Sequence, residues 1–168
     1  MKLRKIALCL LVLSMAVPLY AQGDRGTAEA TIKGKKITIT YGRPSLKGRD
    51  IFSLASIGTI WRLGMNQATE ITTTGTLVFG GKRLAPGKYS LWAKKTGEDS
   101  WALLFHPKTG IWGAPELKEG FVAETPLKLE KVNDSEETLT ITLADTKGKA
   151  GIRIHWGNGV LVGWFDIQ

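Results

Sequence analysis

Cysteine is nearly absent from the 168-residue chain: Cys9 is the only one, and it sits in an N-terminal stretch expected to be removed. The remainder can form neither disulfides nor zinc–thiolate sites, offers no thiol nucleophile, and must be held by its core alone. Histidine is almost as scarce. His106 and His155 are the only two and show neither HxH nor HExxH spacing, so a metal site would need both plus a distant carboxylate. No Gly-x-Ser-x-Gly elbow exists to mark a serine nucleophile. Helix-period segments of useful length are missing past residue 21 as well.

The N-terminal stretch has the layout of an export signal. Lys2, Arg4 and Lys5 precede an apolar run over residues 6–17, Pro18 breaks it, and Leu19-Tyr20-Ala21 ends in a small residue. The run is shorter than the roughly 20 residues of a transmembrane helix. Leu8 before Cys9 lacks the small side chain of a lipid-anchor signal. The expectation is cleavage near Ala21, a periplasmic or secreted protein, and no membrane span afterwards. Removing three of 23 basic residues leaves 20 against 15 acidic ones, a charge of +5 on 147 residues. That is compatible with an anionic partner and too weak for a nucleic-acid footprint.

What is present is alternation. Ile37, Ile39 and Tyr41 alternate with threonines, as do Leu139, Ile141 and Leu143; Trp101, Leu103 and Phe105 alternate with Ala102, Leu104 and His106. Residues 26–32, 69–79 and 89–95 and a strand from Leu127 complete the set, with Val132 out of phase and marking a bulge or strand end. Ala85-Pro86-Gly87-Lys88 fits a type II turn. The pattern predicts an all-β protein with little helix: residues 22–168 as a single antiparallel β-sandwich, jelly-roll or Ig-like, monomeric or weakly associating. At the C-terminus Asn158-Gly159 signals a hairpin. It would set Trp156 opposite Leu161, Ile154 opposite Gly163 and Ile152 opposite Phe165, with Arg153 beside Trp164 and Asp166 on the other face.

Residues 41–52, YGRPSLKGRDIF, and 61–72, WRLGMNQATEIT, are similar to two stretches of an exported bacterial family, domain of unknown function 2911. That family carries YGRP-x-x-KGR-x-[IV]-F and WR-x-GANEAT-like motifs. GKRLAPGKYSL and WALLFHPKTGIWG resemble its later Gly-Lys turn and Trp-containing strand. The resemblance spans nearly the whole chain after the signal and implies a secreted β-rich domain without an accepted activity. Met65 stands where the family tends to have Ala, and Gln67 where it tends to have an acid.

The same stretches concentrate charge. Arg43, Lys47, Arg49 and Arg62 gather within Gly- and Pro-broken sequence, with Asn66 and Glu70 close behind. Guanidinium forks suit carboxylate, sulfate or phosphate, so convergence would make an anion pocket, Asn66 adding hydrogen bonds and Trp61 an apolar or sugar-stacking wall. The competing reading has each arginine bracket the long 42–68 connection by bonding carbonyls and acids, with Ile51, Phe52 and Trp61 as apolar pegs. The leading function is a non-catalytic envelope domain binding an anionic or glycan-like ligand through Arg43, Lys47, Arg49, Trp61, Arg62, Asn66 and Glu70, with no cofactor. The alternatives are a hydrolase of envelope polymers using Glu70 with His106 or His155, and a structural accessory protein presenting a sheet edge. Exposed tryptophans are also how β-sandwich modules hold sugars, although capping a small core is their commoner use.

Overall fold

The computed structural model describes residues 24–113, 117 and 119–168, so the expected signal at 1–21 lies outside the described residues. The strands are β1 (Arg25–Ile32), β2 (Lys35–Gly42), β3 (Ile60–Trp61), β4 (Glu70–Thr73), β5 (Leu77–Phe79), β6 (Lys82–Leu84), β7 (Gly87–Lys95), β8 (Ser100–His106), β9 (Ala123–Thr146) and β10 (Lys149–Ile167), with one short helix, α1 (Ile51–Leu54). The all-β, antiparallel class is as expected. All ten strands belong to one hydrogen-bonded sheet, in the order β1-β2-β4-β7-β8-β9-β10-β5-β6 with β3 beside β7, rather than two separate sheets. The run expected over 69–79 is broken at residues 74–76, which carry the chain from β4 to β5, and β3 and β6 are too short to register as alternation. Among the described residues no helix is long and apolar enough to cross a membrane.

Tight turns come from Lys-Gly and Gly-Gly pairs. Lys33-Gly34, Lys147-Gly148 and Gly80-Gly81 all have positive φ, and their flanking residues pair as Ile32↔Lys35, Thr146↔Lys149 and Phe79↔Lys82. Two left-handed residues in a two-residue loop match the strand twist. The type II turn expected at 85–88 is not formed: Gly87 has φ 157° and is already the first residue of β7, far from the about +80° such a turn needs.

β10 doubles back on itself. Thirteen residues of straight strand would span about 43 Å. Yet a Cβ on Gly151 would lie 3.4 Å from Trp164 Nε1, one on Gly163 would lie 3.7 Å from Ile152 Cγ2, and Lys149 Nζ lies 3.5 Å from Asp166 Oδ2. The reversal falls at Gly157, φ 62°, and Asn158. The expected C-terminal hairpin is therefore present with its partners shifted: Ile152 lies beside Gly163 instead of Phe165, and Asp166 pairs with Lys149 instead of approaching Arg153. A two-residue slip preserves faces, so Ile152, Ile154, Trp156, Leu161 and Phe165 are all core as expected. β9 follows both halves, Thr140 opposite His155 and Lys131 opposite Gly159, and residues 132–135 pass around the bend between them. Asn158 Nδ2 donates to Val132 O there (3.4 Å), where the out-of-phase Val132 had marked an irregularity.

The main core lies on the inner face, with Phe79, Phe105 and Phe165 at centroid distances of 4.6–6.4 Å. β7 and β8 are covered on the outer face too, where Ala68, Trp92, Ala102, Leu104 and Ile111 form a second cluster with Phe121. The second face of β8, Ala102, Leu104 and His106, is thus buried as well.

α1 is too short to hold itself. Asp50 caps it, accepting from Ser53 N at 3.2 Å and Ser53 Oγ at 2.6 Å, and Lys95 Nζ donates to Phe52 O (3.0 Å) and Ala55 O (2.9 Å) at its far end. The Ser53 hydroxyl, more than any other group, holds the Asp50 carboxyl below its ordinary value of 3.8. A depressed carboxylate contributes stability that is present above its unfolded pKa and lost as pH falls through the folded one. Asp50→Ala should cost about 1 kcal/mol in urea titration at pH 7. Asp50→Asn should cost less, and its deficit against the parent should begin to shrink as pH drops below 3.8 and be gone below the depressed folded value.

Candidate functional site

The 42–68 connection begins with two backbones in contact. Gly42 packs directly on Met65 O, and a Cβ on Gly64 would lie 3.0 Å from Gly42 O, so the glycines of YGRP and LGM permit the crossing. The chain is then zipped onto β9. Leu46 N donates to Glu137 O (2.7 Å), Leu139 N donates to Pro44 O (3.0 Å), and Ser45 bridges Thr138. Lys47 (φ 51°) and Gly48 (φ 71°) form the turn, Lys47 N donating to Glu137 Oε1 at 3.1 Å. Arg49 folds back to donate to Leu46 O (3.0 Å) and Ser45 O (3.2 Å). Arg43 donates to Leu139 O (3.4 Å) and reaches Asp24 Oδ2 (3.5 Å). Arg43, Lys47 and Arg49 border one open depression of about 540 Å³, together with Asp24, Met65 and Thr138.

The other expected members lie elsewhere. Trp61 stacks on Trp156 (5.7 Å, 13°) and meets Phe52 edge-on (6.2 Å), so it is a core peg and no ligand wall. Arg62 donates to Asn66 O (3.4 Å), which also accepts from Gly113 N (3.0 Å). Asn66 itself, at φ 59°, shapes that turn. Glu70 is 4% exposed: Oε1 accepts from Gly110 N at 2.7 Å, and Oε2 meets Lys88 Nζ at 2.6 Å. The expected seven-residue site is therefore divided: Arg43, Lys47 and Arg49 share a space, whereas Trp61, Arg62, Asn66 and Glu70 are spent on the scaffold. Trp61 is drawn away by the aromatic cluster under α1, and Glu70 by the chain crossing above it.

Register creates an arrangement that spacing could not reveal. Glu70 pairs with Ser90 and Ser90 with His106, a buried polar row across β4, β7 and β8. Ser90 Oγ accepts from Trp92 Nε1 (2.9 Å), and His106 Nδ1 accepts from Lys108 N (2.9 Å) with its ring edge-on to Phe121. The Glu70 and His106 bonds, to Gly110 N and Lys108 N, secure the segment lying over this face, where Ala68 N also donates to Ile111 O (2.8 Å). Among the described residues no three His, Asp or Glu side chains gather to hold a metal. Trp164, 49% exposed, stands on a separate groove across the outer face of β8 to β10.

A family profile described as Protein of unknown function (DUF2911) matches residues 24–162, covering both charged motifs and every strand that carries them. The chain belongs to this family. Neither the curated proteins nor the solved structures contain a match to it. The DUF2911 segment YGRPSLKGR is the one that forms the basic depression, and WRLGMNQATE forms its floor at Met65 and then the tether under Gly110.

Glu70→Ala leaves the Gly110 amide and Lys88 without their partner. We expect a loss of about 2 to 3 kcal/mol in global stability, with faster hydrogen exchange at residues 108–113. Unchanged exchange there would refute the tethering role.

Proposed function

We propose that this protein is a non-catalytic binding domain of the cell envelope, taking a small anionic ligand at the Arg43–Lys47–Arg49 depression. The observation that carries this reading is three cationic side chains on one open concavity with a single acid, Asp24, on its border. The carbonyl bonds of Arg43 and Arg49 favour it further. A guanidinium has five N–H donors; Arg49 spends two on fixed carbonyls, and Arg43 spends one on a carbonyl and one on Asp24, which leaves the rest oriented at little entropic cost. A carboxylate, sulfate or phosphate group matches that geometry. Gly48 keeps the turn between Lys47 and Arg49 open, with no atom within 4 Å of where its Cβ would stand.

The hydrolase alternative draws no comparable support, since both Glu70 oxygens are engaged with Gly110 and Lys88. The sheet-edge alternative meets charged edges: the terminal strand β6 is three residues long and carries exposed Lys82 and Arg83.

Calorimetric titration of the purified chain with sulfate, phosphate, citrate and galacturonate tests the proposal. At least one anion should bind saturably, weaken as salt rises, and bind at least about tenfold more weakly to Lys47→Ala/Arg49→Ala. Equal affinity in that variant, or no binding by any of the four, would reject the site. Export is tested separately. Expressed in a bacterium, the chain recovered from the periplasm should have the intact mass of a product beginning at Gln22, and a full-length cytosolic product would contradict the envelope assignment.

A further inference from the structure

The outer face of β8, β9 and β10 holds an open groove of about 590 Å³, distinct from the basic depression and within the about 300–1,000 Å³ range of ligand sites. Its floor follows from the register. Ala102 pairs with Pro126 and Lys128 with Val162, all pointing away from the core that Trp101, Leu103, Leu127 and Leu161 fill. Ala102, Pro126 and Val162 make the floor apolar, with the Pro126 ring exposed between Glu124 and Lys128. Trp164 forms one wall. Its indole lies over Gly151, Nε1 standing 3.4 Å from where a Cβ there would be, an ordinary van der Waals contact. Its backbone is held as well, Thr125 Oγ1 donating to Trp164 O at 3.3 Å. The ring nonetheless remains 49% exposed, a large apolar surface that the fold positions and does not bury.

Charge across the groove is balanced. Glu124, on β9 opposite Leu104, and Lys128, opposite Ser100, both line it, so it offers one acceptor-only and one donor-only group on either side of Pro126. A simple anion meets Glu124, and a simple cation meets Lys128. A hydroxyl, which both donates and accepts, satisfies each. A peptide adding as an extra strand has no place here, since β8 and β9 are hydrogen-bonded on both sides and the groove lies on their face, not on an edge.

We infer that this groove binds a neutral carbohydrate chain, one pyranose stacking its C–H face on the Trp164 indole over Pro126 while neighbouring hydroxyls bond Glu124 and Lys128. An amphipathic ring against an apolar, hydroxyl-fringed ligand is the pairing Trp is suited to. The inference does not rest on the anion site, because no residue of the basic depression lines this groove.

The test is intrinsic tryptophan fluorescence and calorimetry on the purified chain with cellohexaose, xylohexaose, laminarihexaose and maltohexaose, and with trigalacturonate as the charged comparison. At least one neutral hexasaccharide should bind saturably with Kd between roughly 10 μM and 1 mM, and Trp164→Ala should weaken it at least about tenfold. Arg49→Ala should bind it as the parent does. Circular dichroism checks that Trp164→Ala folds; if it does not, Glu124→Gln/Lys128→Ala decides, with the same loss expected. Failure of all four neutral sugars to bind, or undiminished binding in the folded variants, overturns the inference. Binding by trigalacturonate alone, abolished by Arg49→Ala, also overturns it while leaving the anion site standing.

Discussion

Backbone carbonyls without ladder partners are the constraint on which the rest of this structure depends. Between β2 and β4 the chain runs through residues 43–69 with only α1 and the two-residue β3 as regular structure. Such a path exposes oxygens that must find donors or remain in water. Backbone amides and Thr69 serve some of them, as Leu139 N serves Pro44 O and Thr69 Oγ1 serves Leu63 O; cationic side chains serve others, Arg25 on Gln67 O, Arg49 on Ser45 O and Leu46 O, Arg62 on Asn66 O, and Lys95 on Phe52 O and Ala55 O. Hydrogen bonds from charged donors contribute about 1.5 to 3 kcal/mol each. Lys95 shows the effect at its purest. It is 8% exposed, without a carboxylate partner among the described residues, and its ammonium lies 5.9 Å from the Trp101 ring centroid while both carbonyls close the end of α1.

The same connection explains why the β10 reversal holds. Phe52 packs directly on Gly159, and a Cβ on Gly157 would lie 3.2 Å from Leu46 Cδ2, so side chains from the connection fill the space above the bend. Phe52 also meets Trp61 and Trp101 edge-on, and Trp61 stacks on Trp156 just before the bend. The connection is thus a plug whose apolar side seals the end of the core and whose polar side must be tied down by cations. Charge clusters in this stretch for a structural reason first. The basic depression is what remains on the solvent side once the carbonyls have been served.

That ordering accounts for what was legible in the residues and what was not. The faces of β10 could be read because Ile152, Ile154, Trp156, Leu161 and Phe165 obey a period of two. Their partners could not, because a register shifted by two residues predicts the same faces. Turns at Lys33-Gly34 and Lys147-Gly148 escaped notice because lysine seldom adopts the left-handed conformation that Asn or Gly signals. The clustering of Arg43, Lys47, Arg49 and Arg62 was plain. Whether they meet one another or meet carbonyls was not, since every residue carries a carbonyl and the acceptor leaves no mark in the sequence. Glu70 was misplaced for a related reason: besides Lys88 its partner is the amide of Gly110, forty residues away and without any side-chain signal. The Trp164 groove depends on where Gly151 falls after the reversal, which only the true register reveals.

Both candidate surfaces owe their order to work done elsewhere in the fold. Arg49 is aimed by carbonyls of its own turn, whereas Trp164 has its backbone held by Thr125 and its indole lying over Gly151. The Arg49 guanidinium need not be immobilised by an incoming ligand, which removes a cost of about 0.5 to 1.5 kcal/mol from binding. The two then diverge in electrostatics. At the depression three cations face one acid, so attraction acts before contact and weakens with ionic strength. In the groove Glu124 and Lys128 cancel at a distance, and recognition begins only when hydroxyls and ring faces touch.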